Sequence, residues 1–308
     1  MLAGIAYKVA STLAFACMMA VVKAFNEYPV GELVFFRSFF ALFVLGAWLA
    51  WRGELRYALY TKRPGGHFLR AISGTSNMVL MFAAYSFLPL ADVTAVGYAG
   101  PLIIVVLAAL WLGERVGPAR WFGVAIGFGG VLLMLSEHLG GGFQQGMSRG
   151  AIGALMALTG AFCLALAMVQ TRRLVQTEHM GAVIFYFQLT ASGIGVLLML
   201  LGALWPSSWP AASSVQSLAW VWPQPHHWWP LIGAGILGGV GQILMTRSFV
   251  LADASIIACF DYTSMIWVLV LSVLFLGEFP TPTVLLGASI VTAAGILVIV
   301  GERARRLR

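Results

Sequence analysis

Charge is scarce in this chain: Asp, Glu, Lys and Arg together make up 9% of its 308 residues, against 60% that are hydrophobic. That is too little polar surface to cover a water-soluble globule of this length, so a soluble fold is excluded and an integral membrane protein is implied. Cysteine is nearly absent. Cys17, Cys163 and Cys259 each sit inside an apolar run, with no metal-ligand spacing, so neither a disulfide framework nor a zinc site is expected. The five histidines, at 67, 138, 179, 226 and 227, fall in or beside expected loops, and neither GxSxG nor a clustered acidic pair occurs. A membrane enzyme would need a nucleophile, base or metal ligands meeting at membrane depth, so that class is the weaker one. GxxxxGK[ST] is missing too, so ATP does not drive the protein directly, and no cofactor or bound metal is expected. The first apolar stretch lacks a small-residue cleavage site and reads as a first spanning helix rather than a signal peptide.

Long apolar runs are abundant instead. A helix needs about 20 apolar residues to cross roughly 30 Å of hydrocarbon. Ten segments qualify, at 4–25, 31–51, 67–88, 91–113, 118–137, 149–171, 180–204, 228–250, 254–277 and 281–301. The net charge of +7 and the pI near 9.7 reflect basic residues placed in the short gaps between these runs, which indicates topology rather than a nucleic-acid partner. With the N-terminus inside, 15 of the 18 Lys and Arg fall on the inner side, and only Lys23, Arg37 and Arg149 do not. Both termini are therefore expected in the cytoplasm.

Two stretches repeat one another. Residues 90–130 and 251–295 each place "LAD" before a long apolar helix, "LGE" at its end, a Pro-bearing turn, and a second apolar helix rich in small residues. From Tyr98/Tyr262 through Gly113/Gly277 and Glu114/Glu278 to Gly123/Gly287 the offset is constant at 164 (262 − 98, 277 − 113, 287 − 123). Such a repeat of membrane-length segments indicates a transporter of two related halves, here 1–147 and 148–308. Each half has five spans, an odd number, so the second enters the membrane inverted. The fold class expected is thus all-α, with ten transmembrane helices in two inverted five-helix repeats around a central cavity. The link between spans 7 and 8, residues 205–230, holds Trp205, Trp209, Trp220, Trp222, Trp228 and Trp229 among five prolines. It reads as an aromatic belt at the outer headgroup layer or, alternatively, as a lid.

The ten spans, the "LGE" before a Pro-bearing turn in each half, and the inverted five-plus-five repeat together resemble the EamA type of the drug/metabolite transporter superfamily, over nearly the whole chain. Aromatic richness and general similarity further resemble the bacterial aromatic amino-acid exporters of the YddG type. What this resemblance implies is alternating-access transport of small metabolites, often amino-acid export, through a cavity lined by spans 1, 3, 4, 6, 8 and 9, with 5 and 10 peripheral. One departure limits the symmetry: Met265 stands where the first half has Pro101, so a kink at Pro101 cannot be copied to its mate.

Several residues are candidates for substrate binding. Tyr98 and Tyr262 lie eight residues into spans that enter from opposite sides, about 12 Å deep by helix rise, and so reach one level near the midplane. A buried phenol needs a partner, which either a shared polar cavity or a backbone carbonyl supplies. Asn77, Met81 and Tyr85 recur at i, i+4 and i+8 on one face of span 3, as a substrate-facing stripe or a packing stripe. Glycines in "GYAGP" and in "GAGILGGVGQ", which precedes Gln242, mark either hinges or close-packing seams. Gln188 matches Arg37 in the repeat, and Arg37 is read as tying helices together at the outer side. Asp261 is set about 10 Å inside span 9, where it either carries a proton or contacts a substrate ammonium, or else caps a turn or pairs with a basic residue. Asp92 and Asp253 read as N-caps, and Glu114 and Glu278 as carboxylates serving the next helix's amides. The expected function is secondary export of amino acids, aromatic and other apolar ones favoured, across a bacterial inner membrane, with the small-molecule substrate and membrane lipid as partners. The alternative is export of other small metabolites or amphipathic drugs.

Overall fold

The computed structural model describes residues 2–111, 118–139, 149–206, 208, 217–251, 260 and 263–306. The protein is all-helical: among the described residues there is no strand. Its helices are α1 (Leu2–Ala24), α2 (Val30–Trp51), α3 (Pro64–Ala84), α4 (Leu90–Gly97), α5 (Ala99–Trp111), α6 (Pro118–Leu139), α7 (Arg149–Leu174), α8 (Met180–Leu204), α9 (Trp228–Leu251), α10 (Thr263–Leu271) and α11 (Pro282–Arg306). These are the ten expected spans, because α4 and α5 together form the fourth, and α10 runs into a π turn, Ser272–Leu276, to complete the ninth. Five of them, α1, α2, α7, α8 and α9, are long and apolar enough to cross a membrane by length and composition alone. Proline sets several starts: Pro64, Pro118 and Pro282 open their helices, where the missing N–H costs nothing, and Pro29 and Pro89 immediately precede α2 and α4. Large apolar side chains such as Phe43, Phe122, Leu200, Leu274 and Phe275 are exposed around the outside, as a lipid-facing surface requires.

The break in the fourth span follows from Pro101. Lacking an N–H, it cannot bond the Gly97 carbonyl four residues back, and the helix is interrupted at Tyr98, between α4 and α5. The glycines of α9 form a seam, not a hinge. A Cβ on Gly235 would lie 2.5 Å from Phe40 Cβ, one on Gly239 2.9 Å from Val44 Cβ, and one on Gly241 3.0 Å from the Phe15 ring. Those contacts let α9, an unbroken helix, lie close against α1 and α2. The α6–α11 contact is as tight: a Cβ on Gly130 would meet the Gly287 carbonyl at 2.9 Å, and one on Gly287 the Gly130 carbonyl at 2.8 Å.

Helix packing obeys the repeat. α1 packs on α9 while α3 packs on α7, and these pairs exchange when the halves exchange; α2 with α8, α6 with α11, and α4 with α10 are pairs of mates. The inversion is visible at the helix ends. One end of the bundle gathers the C-termini of α1 and α3, the N-terminus of α4 and the segment after the π turn. There Lys23 Nζ donates to the Tyr85 and Leu88 carbonyls at 2.7 and 2.9 Å and pairs with Glu278 at 3.2 Å. The opposite end joins the N-terminus of α3 to the C-terminus of α7, where the Lys62 N–H donates to Glu178 Oε1 at 3.0 Å. α7 therefore runs antiparallel to α3, whereas its mate α1 runs parallel to it.

The link before α9 folds back over the Lys23 end. The Trp220 ring stacks 5.9 Å from Phe36, the Val221 N–H donates to Glu32 Oε2 at 3.1 Å, and the Tyr28 hydroxyl shares a 2.6 Å hydrogen bond with His227 Nδ1. Trp222 and Trp229 remain exposed. At the other end Arg52 donates to Glu54 Oε1 at 2.8 Å, and this bond holds the Glu54 carboxyl below its usual range.

Candidate functional site

A polar cluster lies midway along the bundle, inside otherwise apolar packing. Thr12 is ten residues into α1, about 15 Å from its start by helix rise. Its hydroxyl lies 3.0 Å from that of Thr263, at the start of α10, where one can donate to the other while the remaining hydroxyl donates to its own carbonyl, Val9's for Thr12 or Phe260's for Thr263. Next to them the Tyr98 hydroxyl meets Ser264 Oγ at 2.5 Å. Tyr98 is placed by the break that Pro101 causes, and it is buried. The cluster thus joins α1 and the fourth span of the first half to the ninth span of the second. Lys8, one turn earlier on α1, and Ser11, immediately before Thr12, are buried too. Such an arrangement offers hydroxyl donors and acceptors and an aromatic face to a solute, at the junction of the halves.

The expected site residues fare differently. Tyr98 reaches the ninth span two residues from Tyr262; Tyr262 itself and Asp261 lie outside the described residues, as do Asp253 and Glu114. Gln242, on α9, is buried. The face of α3 splits by contact. Met81 fills the seam between α4 and α7, its Cε 3.0 Å from a Cβ on Gly97 and its Sδ 3.3 Å from one on Gly160. Tyr85, fully buried, stacks on Phe82 at 6.1 Å, and its hydroxyl has no partner among the described residues. Asn77 Oδ1 is likewise buried without a partner.

Three readings need correction. Asp92 is not the N-cap of α4: Pro89 holds that position, and Asp92 sits buried inside the first turn. Glu278 does serve a helix N-terminus, but that of α4 in the other half, accepting from the Leu90 N–H at 2.8 Å, while Thr281 Oγ1 accepts from the Val284 N–H in the first turn of α11. Gly277 makes this possible. It adopts φ +65, the left-handed cap that turns the chain after the π turn and aims Glu278 across the interface. This gives the second copy of "LGE" a physical meaning. Lastly, Lys8 and Arg70, both counted with the inner-side charges, are buried at 1% and 6% exposure.

Arg70 is the residue that sequence reasoning missed. Helix α3 begins at Pro64, three residues before the expected start of the span, and so carries Arg70 about 9 Å inward by helix rise. There its guanidinium lies 3.8 Å from the centroid of the Phe187 ring, with Arg37 5.4 Å from the same ring. Arg37 donates to Gln188 Oε1 at 2.8 Å, so the two repeat mates bond across the halves. No group of three or more His, Cys, Asp or Glu among the described residues is placed to hold a metal ion. An apolar cavity of about 560 Å³ lies between α5, α6 and α7, lined by Ile103, Leu107, Phe128, Leu158, Thr159 and Phe162 among others; it does not include the hydroxyl cluster.

A family model described as the EamA-like transporter family matches residues 2–136 and 151–301. The chain is 26% identical over 296 residues to the pseudopaline exporter of Pseudomonas aeruginosa (strain UCBPP-PA14), covering 95% of this chain and 94% of that one. It is 25% identical over 272 residues to an S-adenosylmethionine uptake transporter of Rickettsia bellii (strain RML369-C), covering 88% and 84%. A riboflavin transporter of Vibrio cholerae serotype O1 is 26% identical over 238 residues, covering 77% and 72%. A protein crystal structure 21% identical to the chain matches it with a TM-score of 0.63, covering 97% of this chain and 98% of that one, a likeness of fold. The protein belongs to the EamA-like transporter family, a multi-pass membrane protein built for small-molecule transport.

Proposed function

We propose that the protein exports amino acids, aromatic and other apolar ones favoured, across a bacterial inner membrane by alternating access, with both termini cytoplasmic. The observation that carries this reading is the hydroxyl cluster of Thr12, Tyr98, Thr263 and Ser264, set at mid-depth where the halves meet. A zwitterion with an apolar side chain needs such a place: hydrogen-bonding groups for its head beside a ring face for its tail. Asn77, Met81, Tyr85, Gln242, Asp261 and Tyr262 complete the proposed binding surface. The name of the pseudopaline exporter supports the outward direction. The relatives' names also cover three different solutes, which favours a second reading, export of other small metabolites or amphipathic drugs.

The test is uptake of a radiolabelled amino-acid panel by proteoliposomes holding the purified chain, with and without a pH gradient. Saturable flux of phenylalanine, tryptophan and leucine above that of glutamate and lysine is expected. Flux of none of the panel defeats the amino-acid reading.

A further inference from the structure

The Arg37 and Arg70 cluster lies outside the hydroxyl cluster and has a chemistry of its own. Both guanidiniums are buried, at 5% and 6% exposure, and they flank one face region of Phe187. Among the described residues each has one hydrogen-bond partner and it is neutral: Gln188 Oε1 for Arg37 Nη1 at 2.8 Å, and Thr171 Oγ1 for Arg70 Nε at 3.2 Å. Neither forms an ion pair with any described carboxylate; the ion pairs between described residues are made by other groups, among them Lys23, Arg52 and three histidines. The atoms left without partners are Arg37 Nε, Arg70 Nη1 and Gln188 Nε2. All three are N–H donors. Gln188 Oε1 already accepts from Arg37, so the cluster presents surplus donors and two positive charges and, among the described residues, no negative charge.

Two buried cations with no counter-charge are costly unless something anionic joins them, and planar guanidinium forks match a carboxylate in particular. We infer that Arg37, Arg70 and Gln188 form a buried anion-recognition station that takes the carboxylate of the transported substrate. Phe187, whose ring lies beside both guanidiniums, supplies an apolar flank for the substrate's side chain. The three helices involved, α2, α3 and α8, come from both halves, so a bound carboxylate couples them. That the anion comes from the substrate rests on the amino-acid reading above; the station itself does not.

The experiment follows thermal unfolding of the full chain, purified in detergent, against L-phenylalanine, L-phenylalaninamide, benzoate, benzamide and inorganic phosphate. L-Phenylalanine and benzoate are expected to raise the apparent Tm and their amides to leave it unchanged. Arg70→Gln and Arg37→Gln, checked for folding by size exclusion and their own unliganded Tm, should weaken the apparent affinity by about tenfold or more. Arg70→Lys, which keeps the charge but not the fork, should retain part of the effect and so serves where Arg70→Gln does not fold. Benzoate active with L-phenylalanine inert supports the station and defeats the amino-acid reading. Equal stabilisation by acids and amides, a response to phosphate alone, or full affinity in folded Arg70→Gln overturns the inference and leaves the two arginines as ties between helices.

Discussion

Replacing Glu278 with alanine should open the Lys23 end of the protein. In the structure this carboxylate does two things across the halves: it accepts the Leu90 N–H at the start of α4 and pairs with Lys23 at 3.2 Å. Losing an N-cap acceptor costs about 1 kcal/mol, and a hydrogen bond to a charged group about 1.5–3 kcal/mol. Lys23 keeps its two carbonyl acceptors, and its side chain is 12% exposed and that of Glu278 23%, so solvent recovers part of the loss. A net change of about 2 kcal/mol in favour of the open end shifts its population about 30-fold. The assay places one cysteine at Ala95, fully buried in α4, in a chain whose Cys17, Cys163 and Cys259 are serine. Labelling by an impermeant thiol reagent should quicken by a like factor in the Glu278→Ala background, with Lys23→Met alone giving a smaller rise. An unchanged labelling rate in folded Glu278→Ala protein would refute the idea that this contact holds the end shut.

Other outcomes can be checked alongside. Tyr98→Phe removes the hydroxyl bonded to Ser264 and should weaken apparent substrate affinity several-fold, whereas Tyr98→Ala should cost more for phenylalanine than for threonine; equal losses in folded variants would favour a packing role. Asp261→Asn removes the titratable group proposed inside the ninth span and should abolish any dependence on a pH gradient while sparing exchange at equal pH, which flux measurements at two gradients decide. Cysteines at Ser208 and Ser214 should react with an impermeant reagent on intact cells and one at Thr61 should not; the reverse pattern would invert the proposed orientation.

The spans were legible because bilayer thickness fixes a helix length that composition alone reveals, and the inverted repeat because 164 separates mates from Tyr98 to Gly287. The sequence matched Gln188 to Arg37 as mates, but their bond shows only in the packing of α2 on α8. Contacts made over long sequence distances did not show in the sequence. Nothing local to "LGE" says that Glu278 reaches Leu90 in the other half, because the turn at Gly277 and the packing of α4 on α10 decide it together. Arg70 was hidden because it was counted with the inner-side charges although the expected span 67–88 already held it; the earlier start at Pro64 only carries it deeper, where it is buried. The choice between hinge and seam for the glycines of α9 depended on what lay opposite them: side chains of α1 and α2.

The claim on which the account rests is that solute crosses by a carrier cycle through the junction of the two halves. Counterflow tests it most directly. Proteoliposomes loaded with unlabelled L-phenylalanine and diluted into tracer should accumulate label transiently above its equilibrium level, with saturation in the external concentration and no chemical change in the recovered label. Label that only equilibrates, at a rate proportional to concentration, would indicate a pore, and label recovered as a product would indicate an enzyme; either would contradict the account.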